Sequence, residues 1–168
     1  MIVMAGTRPA LPDATSASFL AEALNEANAY RAKHHAPPME MDAKLVEYAK
    51  ERASSRSEYA KLSAGHDGLR DTTGENIFWG TSTGATPKAA GDAVSAWYNE
   101  IADYNWTTPP GDFAKTGHFS QLVWKDTTKV GAARVAGQGA DGFETYIVFV
   151  FETPGNYEGE YTTNVLPA

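Results

Sequence analysis

The stretch "FETYIVFVFE", residues 143–152, decides the fold. In an extended chain successive side chains point to opposite faces, so Tyr146, Val148 and Val150 share one face and Ile147, Phe149 and Phe151 the other. A strand that is apolar on both faces has to be covered on both. Just upstream, "KVGAARVA" (129–136) reads as a second short strand, and the intervening "GQGADG" is turn chemistry. Further back, "NIFWG" (76–80) reads as another strand.

The covering layers come from the helical spacings. From Ser16 or Ser18 onward, Leu20, Leu24, Ala27 and Tyr30 recur near helical period until "APP" (36–38) stops the run. Asp42 is placed to cap a second helix, in which Leu45, Tyr48, Ala49 and then Arg52 or Ala53 repeat the period. Thr86 and Pro87 make a favourable opening for a third, with Ala90, Val94, Trp97 and Ile101 on one stripe. "HFSQLVW" (118–124), after Gly117, reads as a short helix rather than a strand. A doubly apolar sheet with three or more helices packs most simply as an α+β fold, a three-layer α-β-α sandwich. The 168 residues suffice for one sizeable core, so a single domain is expected over 16–168. Residues 1–15, rich in Pro, Ala and Thr, are expected to form a flexible arm.

Composition removes several classes of function. The 14 Lys and Arg against 21 Asp and Glu give a net charge of −7 with no basic run, which argues against nucleic acid and against adhesion to anionic lipid. The chain has no cysteine, which excludes disulfides, thiolate metal sites and a cysteine nucleophile. The opening "MIVMAGTRPALPD" lacks the basic and apolar regions of an intact secretion signal, and no apolar run of about 20 residues offers a transmembrane helix.

Chemistry-bearing residues stand at the borders of the buried elements. His118 sits at the lip of an apolar segment, and Glu100 at the edge of the third helix's stripe. Glu75 lies where the chain enters "NIFWG", and His66 in the glycine-flanked loop "SAGHDGLRD". From spacing alone two readings stay open: solvated acids with loop histidines, or four groups around one cleft. His34 and His35 fit the positive end of the first helix and are given no chemical role. There is no HExxH helix and no Gly-x-Ser-x-Gly elbow.

"GHFSQLVWKDTTKVGAA" (117–133) resembles a signature of the CAP superfamily of cysteine-rich secretory, antigen-five and pathogenesis-related-one proteins, also called the SCP domain. "YIVFVFETPGNYEGEY" (146–161) resembles its second signature. "HHAPPMEMDAKLVEYA" (34–49) resembles its first-helix exit, and "GENIFWG" (74–80) and "AWYNEIADYNW" (96–106) resemble its intervening motifs, so that ordered matches span residues 19–166. The resemblance implies a mainly antiparallel sheet between helices and a groove with a His-Glu-Glu-His tetrad, here His66, Glu75, Glu100 and His118. It also implies weak binding of Zn²⁺ or another divalent cation through His66 and His118, with Glu75 and Glu100 as carboxylate partners. The function it implies is a secreted, non-enzymatic module that holds a sterol or fatty acid, or presents its cleft to a protein partner. A metal-dependent hydrolase using the same tetrad is the alternative. Without cysteines the chain is similar to the branch containing bacterial, some fungal and Golgi-associated animal members. It departs from the family in having Ala27 ahead of Asn28, and in a Tyr59–Glu75 loop without the aromatics of yeast-type sterol binders.

Overall fold

The run at 143–152 forms most of strand β4 (Gly142–Glu152) in a computed structural model that describes residues 6–168. β4 is flanked by β3 (Lys129–Gly139) on one side and β2 (Gly74–Ser82) on the other, both antiparallel to it. A two-residue strand β1 (Glu40–Met41) adds in parallel to β3, giving the order β1-β3-β4-β2. The alternation in β4 then sorts the core. Tyr146, Val148 and Val150 pack with Leu45, Ala49 and Ala53 of helix α2 (Ala43–Ser57). Ile147, Phe149 and Phe151 pack with Phe19, Ala23 and Ala27 of α1 (Ala17–Lys33), Val94 and Trp97 of α3 (Ala90–Tyr98), and Phe119 and Leu122 of α4 (Phe113–Leu122). The fold is the three-layer sandwich, with α2 alone on one face of the sheet and α1, α3 and α4 on the other. A last short helix, α5 (Tyr161–Asn164), closes the chain against Trp124.

Asp42 caps α2 by accepting from the Leu45 N–H, and Ser16 caps α1 by accepting from that of Phe19. The approach of α2 to the sheet depends on Gly131, because a Cβ there would run into the Leu45 backbone. Arg31, fully buried on α1, donates to the carbonyls of Pro37, Leu122, Trp124 and Thr127, tying the end of α1 to the end of α4. Burial lowers its pKa to about 10.

Three expectations are corrected. The third helix begins at Ala90 rather than at Pro87. The Lys88 N–H donates to Thr145 of β4 and its carbonyl accepts from Arg134, which holds that segment extended on the sheet. The arm expected to be flexible is tied down from Gly6 onward, while residues 1–5 lie outside the described residues. Arg8 makes a two-pronged ion pair with buried Glu144, at 2.9 Å for each contact, and Ala14 and Pro12 bond the backbone of β3. Glu144 needs a countercharge because it is 1% exposed, and the arm supplies it. His34 carries no favourable positive charge, because it is enclosed by Tyr98, Trp106 and Phe119. Desolvation pulls its pKa below the ordinary value despite the Leu166 carbonyl on Nδ1.

Candidate functional site

His118 comes from the middle of α4, and Glu100 from a 3-10 turn (Asn99–Asp103) that continues α3. One Glu100 oxygen accepts from His118 Nδ1 at 2.8 Å, and the other from the backbone N–H groups of His118 and Phe119 at 2.9 and 3.0 Å. Glu75 is the second residue of β2, and its side chain is fully buried. It takes a two-pronged contact from Arg52 of α2, at 2.6 and 2.8 Å, and a third hydrogen bond from His66 Nδ1 at 2.7 Å. Burial alone would raise the Glu75 pKa, but the hydrogen bonds of Arg52 and His66 outweigh it and hold the carboxyl below its ordinary range.

The two imidazoles face one groove. Its inner hollow, about 200 Å³, is lined by His66, Glu75, Asn76, His118 and Asn156 together with Phe113 and neighbours on α4. A second hollow of about 180 Å³ shares His66 and His118 and runs past Leu62, Ala64 and Ile77 to Arg56 and Lys61. His66, Glu75 and His118 thus meet at the groove, and Glu100 is joined to it through His118. Asn76 donates to the His118 carbonyl at 3.0 Å, which links β2 to α4 beneath the groove. Asn156, in left-handed backbone conformation (φ 64°), bonds the Gly117 carbonyl and Ser120 and so braces the same turn of α4.

This geometry defines the chemistry available. With Nδ1 of each ring donating to a carboxylate, Nε2 is left as the lone-pair nitrogen, and a carboxylate behind an imidazole is the usual support of a metal-binding histidine. Two such nitrogens beside one groove are the donors that an open site completed by water would use. The carboxylate oxygens are already engaged, those of Glu75 with Arg52 and His66, and those of Glu100 with His118 and Phe119. Among the described residues no group of three or more His, Asp or Glu is arranged to hold a metal.

Sequence reading did not find the part played by Arg52, Arg56, Asn76 or Asn156. Arg52 carried a signal, since it falls on the apolar stripe of α2, and a cation on such a stripe requires a buried partner. Asn76 carried a weaker one, as a lone amide inside an apolar strand.

The fold and the groove together define a protein of the CAP class. The family model described as "CAP: Cysteine-rich secretory protein family" matches residues 24–151, and the chain belongs to this family. It is 38% identical over 146 residues to pathogenesis-related protein PR-1 of Medicago truncatula, covering 86% of this chain and 79% of that protein. It is 34% identical over 154 residues to the Golgi-associated plant pathogenesis-related protein 1 of Homo sapiens, covering 90% and 95%. Among solved structures, that of NaASP2 with Zn²⁺ superposes with a TM-score of 0.66 at 23% identity, covering 90% of this chain and 86% of that one. Among the described residues no helix is long and apolar enough to cross a membrane.

Proposed function

We propose that this chain is a non-enzymatic, extracellular binding module whose groove takes a divalent cation weakly between His66 and His118 and offers its apolar wall to a lipid. One observation carries the cation reading: both histidines spend Nδ1 on a buried or half-buried carboxylate, and both line the same groove. A bound Zn²⁺ would supply a Lewis-acidic centre, and the protein's part is to hold two neutral imidazoles in place for it. The extracellular setting accords with the description of the family as secretory.

The lipid reading rests on Leu62, Ala64 and Ile77 along the outer hollow. At about 180 Å³ this hollow is smaller than typical pockets for drug-sized ligands, which favours an acyl chain over a sterol nucleus. The rival reading, a metal-dependent hydrolase, needs a carboxylate free to act as general base. Both carboxylates already accept from imidazole Nδ1, and this weighs against it.

Titration calorimetry with Zn²⁺ at pH 7.5 and 5.5 tests the cation site. Wild type should bind modestly at the higher pH and much less at the lower, because protons compete for the imidazole nitrogens. The His66→Ala, His118→Ala double variant should lose binding at both. Equal zinc affinity in the two proteins would place the ion elsewhere and remove the groove as a metal site.

A further inference from the structure

Arg52 and Arg56 lie one helical turn apart on the same face of α2, and both are buried. Arg52 has Glu75 as its counterion. Arg56, 8% exposed, has none: among the described residues no carboxylate lies within ion-pair distance of it. Its Nη1 donates to the carbonyls of Ala64 and Gly65 at 3.2 and 3.1 Å, and its Nε is buried without an acceptor. Its Nη2 makes no hydrogen bond to any described residue. Burying a guanidinium against only two neutral carbonyls costs free energy that a native fold ordinarily recovers with an anion.

Arg56 also lines the outer hollow of the groove. Lys61 lines the same hollow, with its ammonium group 5.7 Å from the Trp79 ring centre, and the remaining walls are Leu62, Ala64, Gly65, Ile77 and the two histidines. Two cationic residues beside the apolar walls of Leu62, Ala64 and Ile77 match a ligand with an anionic head and an apolar body. A carboxylate suits the remaining N–H groups of the guanidinium, chiefly those of Nη2, better than any uncharged head.

We propose that Arg56, assisted by Lys61, is the anchor of a carboxylate subsite, and that the groove binds an apolar monocarboxylate with its head on Arg56 and its chain along Leu62 and Ile77. This deepens the lipid reading given above and rests on it, while leaving the cation reading untouched. No covalent step is involved.

Calorimetry on the full chain with octanoate and with 1-octanol, matched in chain length, tests the subsite. Octanoate should bind at least about tenfold more tightly than octanol, and Arg56→Met should remove that preference, because a charge-assisted pair is lost. Should Arg56→Met fail to fold by circular dichroism, two variants on the exposed loop keep the test open. Lys61→Ala should weaken octanoate a few-fold, and Leu62→Asp should weaken it about tenfold by setting a like charge on the binding edge. Equal binding of octanol and octanoate would overturn the carboxylate subsite while leaving the lipid reading standing. Octanoate affinity unchanged by Arg56→Met or, with that variant unfolded, by Leu62→Asp would also overturn it, since the ligand would then sit elsewhere. If neither probe bound, the lipid reading would fall and the subsite with it.

Discussion

The two histidine-glutamate pairs at the groove have nearly the same contact, 2.7 Å in His66–Glu75 and 2.8 Å in His118–Glu100, yet their carboxylates are supported in opposite ways. The Glu75 side chain has no exposure and is balanced by the Arg52 guanidinium, which also bonds the Asp67 carbonyl. The Glu100 side chain is 22% exposed and is held, besides His118, by two peptide N–H groups, with no Arg or Lys within ion-pair distance among the described residues. A fully buried carboxylate demands a countercharge, whereas one that keeps some water is satisfied by dipoles. Glu75 therefore serves the stability of the whole domain, joining α2, β2 and the 58–73 loop, while Glu100 serves the local alignment of α4.

Breaking the Arg52 side should have the largest effect. Arg52→Met leaves the buried Glu75 carboxylate with the His66 hydrogen bond alone, and should cost about 3–5 kcal/mol in urea denaturation. Adding Glu75→Gln to that variant should recover a substantial part, because the orphaned charge is then gone. A double variant no more stable than Arg52→Met would mean that the loss lies in packing rather than in charge.

Acid should act on the same pair next. The Glu75 pKa is depressed in the folded protein, so the stability it contributes is present above the unfolded value, about 4.3, and is lost as the pH falls through the lower folded value. Glu144, depressed chiefly by its hydrogen bond from Arg8, has the same sign. The urea midpoint should hold steady near pH 6 and drop below about pH 4, and the Arg52→Met, Glu75→Gln double variant should show a shallower drop. Equal slopes in the two proteins would remove Glu75 as a source of the acid sensitivity.

On the other side, Glu100→Ala should cost about 1–3 kcal/mol, since two peptide N–H groups and His118 Nδ1 lose their acceptor, and Glu100→Gln should cost less because an acceptor oxygen remains. A cost as large as that of Arg52→Met would erase the distinction between the two pairs. The smallest effect belongs to His66→Ala. This side chain is 53% exposed and Glu75 keeps its contacts from Arg52, so its removal should cost about 1 kcal/mol or less, the worth of one hydrogen bond, while still weakening zinc binding.

Much of this was legible along the chain. Tyr146 to Phe151 alternate so cleanly that each lies in the core their parity assigns to it. Asp42 caps α2 where its position before an apolar period required. The third helix was misplaced by three residues because Thr86 and Pro87 carry a generic opening signal, whereas the bonds of Lys88 to Thr145 and Arg134 belong to the sheet. His34 shows the same limit: a helix C-terminus suggests a cation, but three aromatic rings from other elements enclose it and favour the neutral form. At the groove, the four residues were singled out by their positions and by resemblance, but the partners that define their chemistry were not.

By itself, then, the sequence determined the periodicities: which apolar residues face inward, where α2 is capped, and that one sheet must be covered on both faces. Those follow from backbone geometry repeated every two or 3.6 residues, and they need no knowledge of distant neighbours. Only the tertiary structure decided which charges meet. Glu75 finds Arg52 across 23 residues, and Glu144 finds Arg8 across 136. On the same face of α2, Arg56 finds no carboxylate among the described residues. Ion pairing acts through space at a few ångströms and leaves no period in the chain, so it becomes readable only once the layers are stacked.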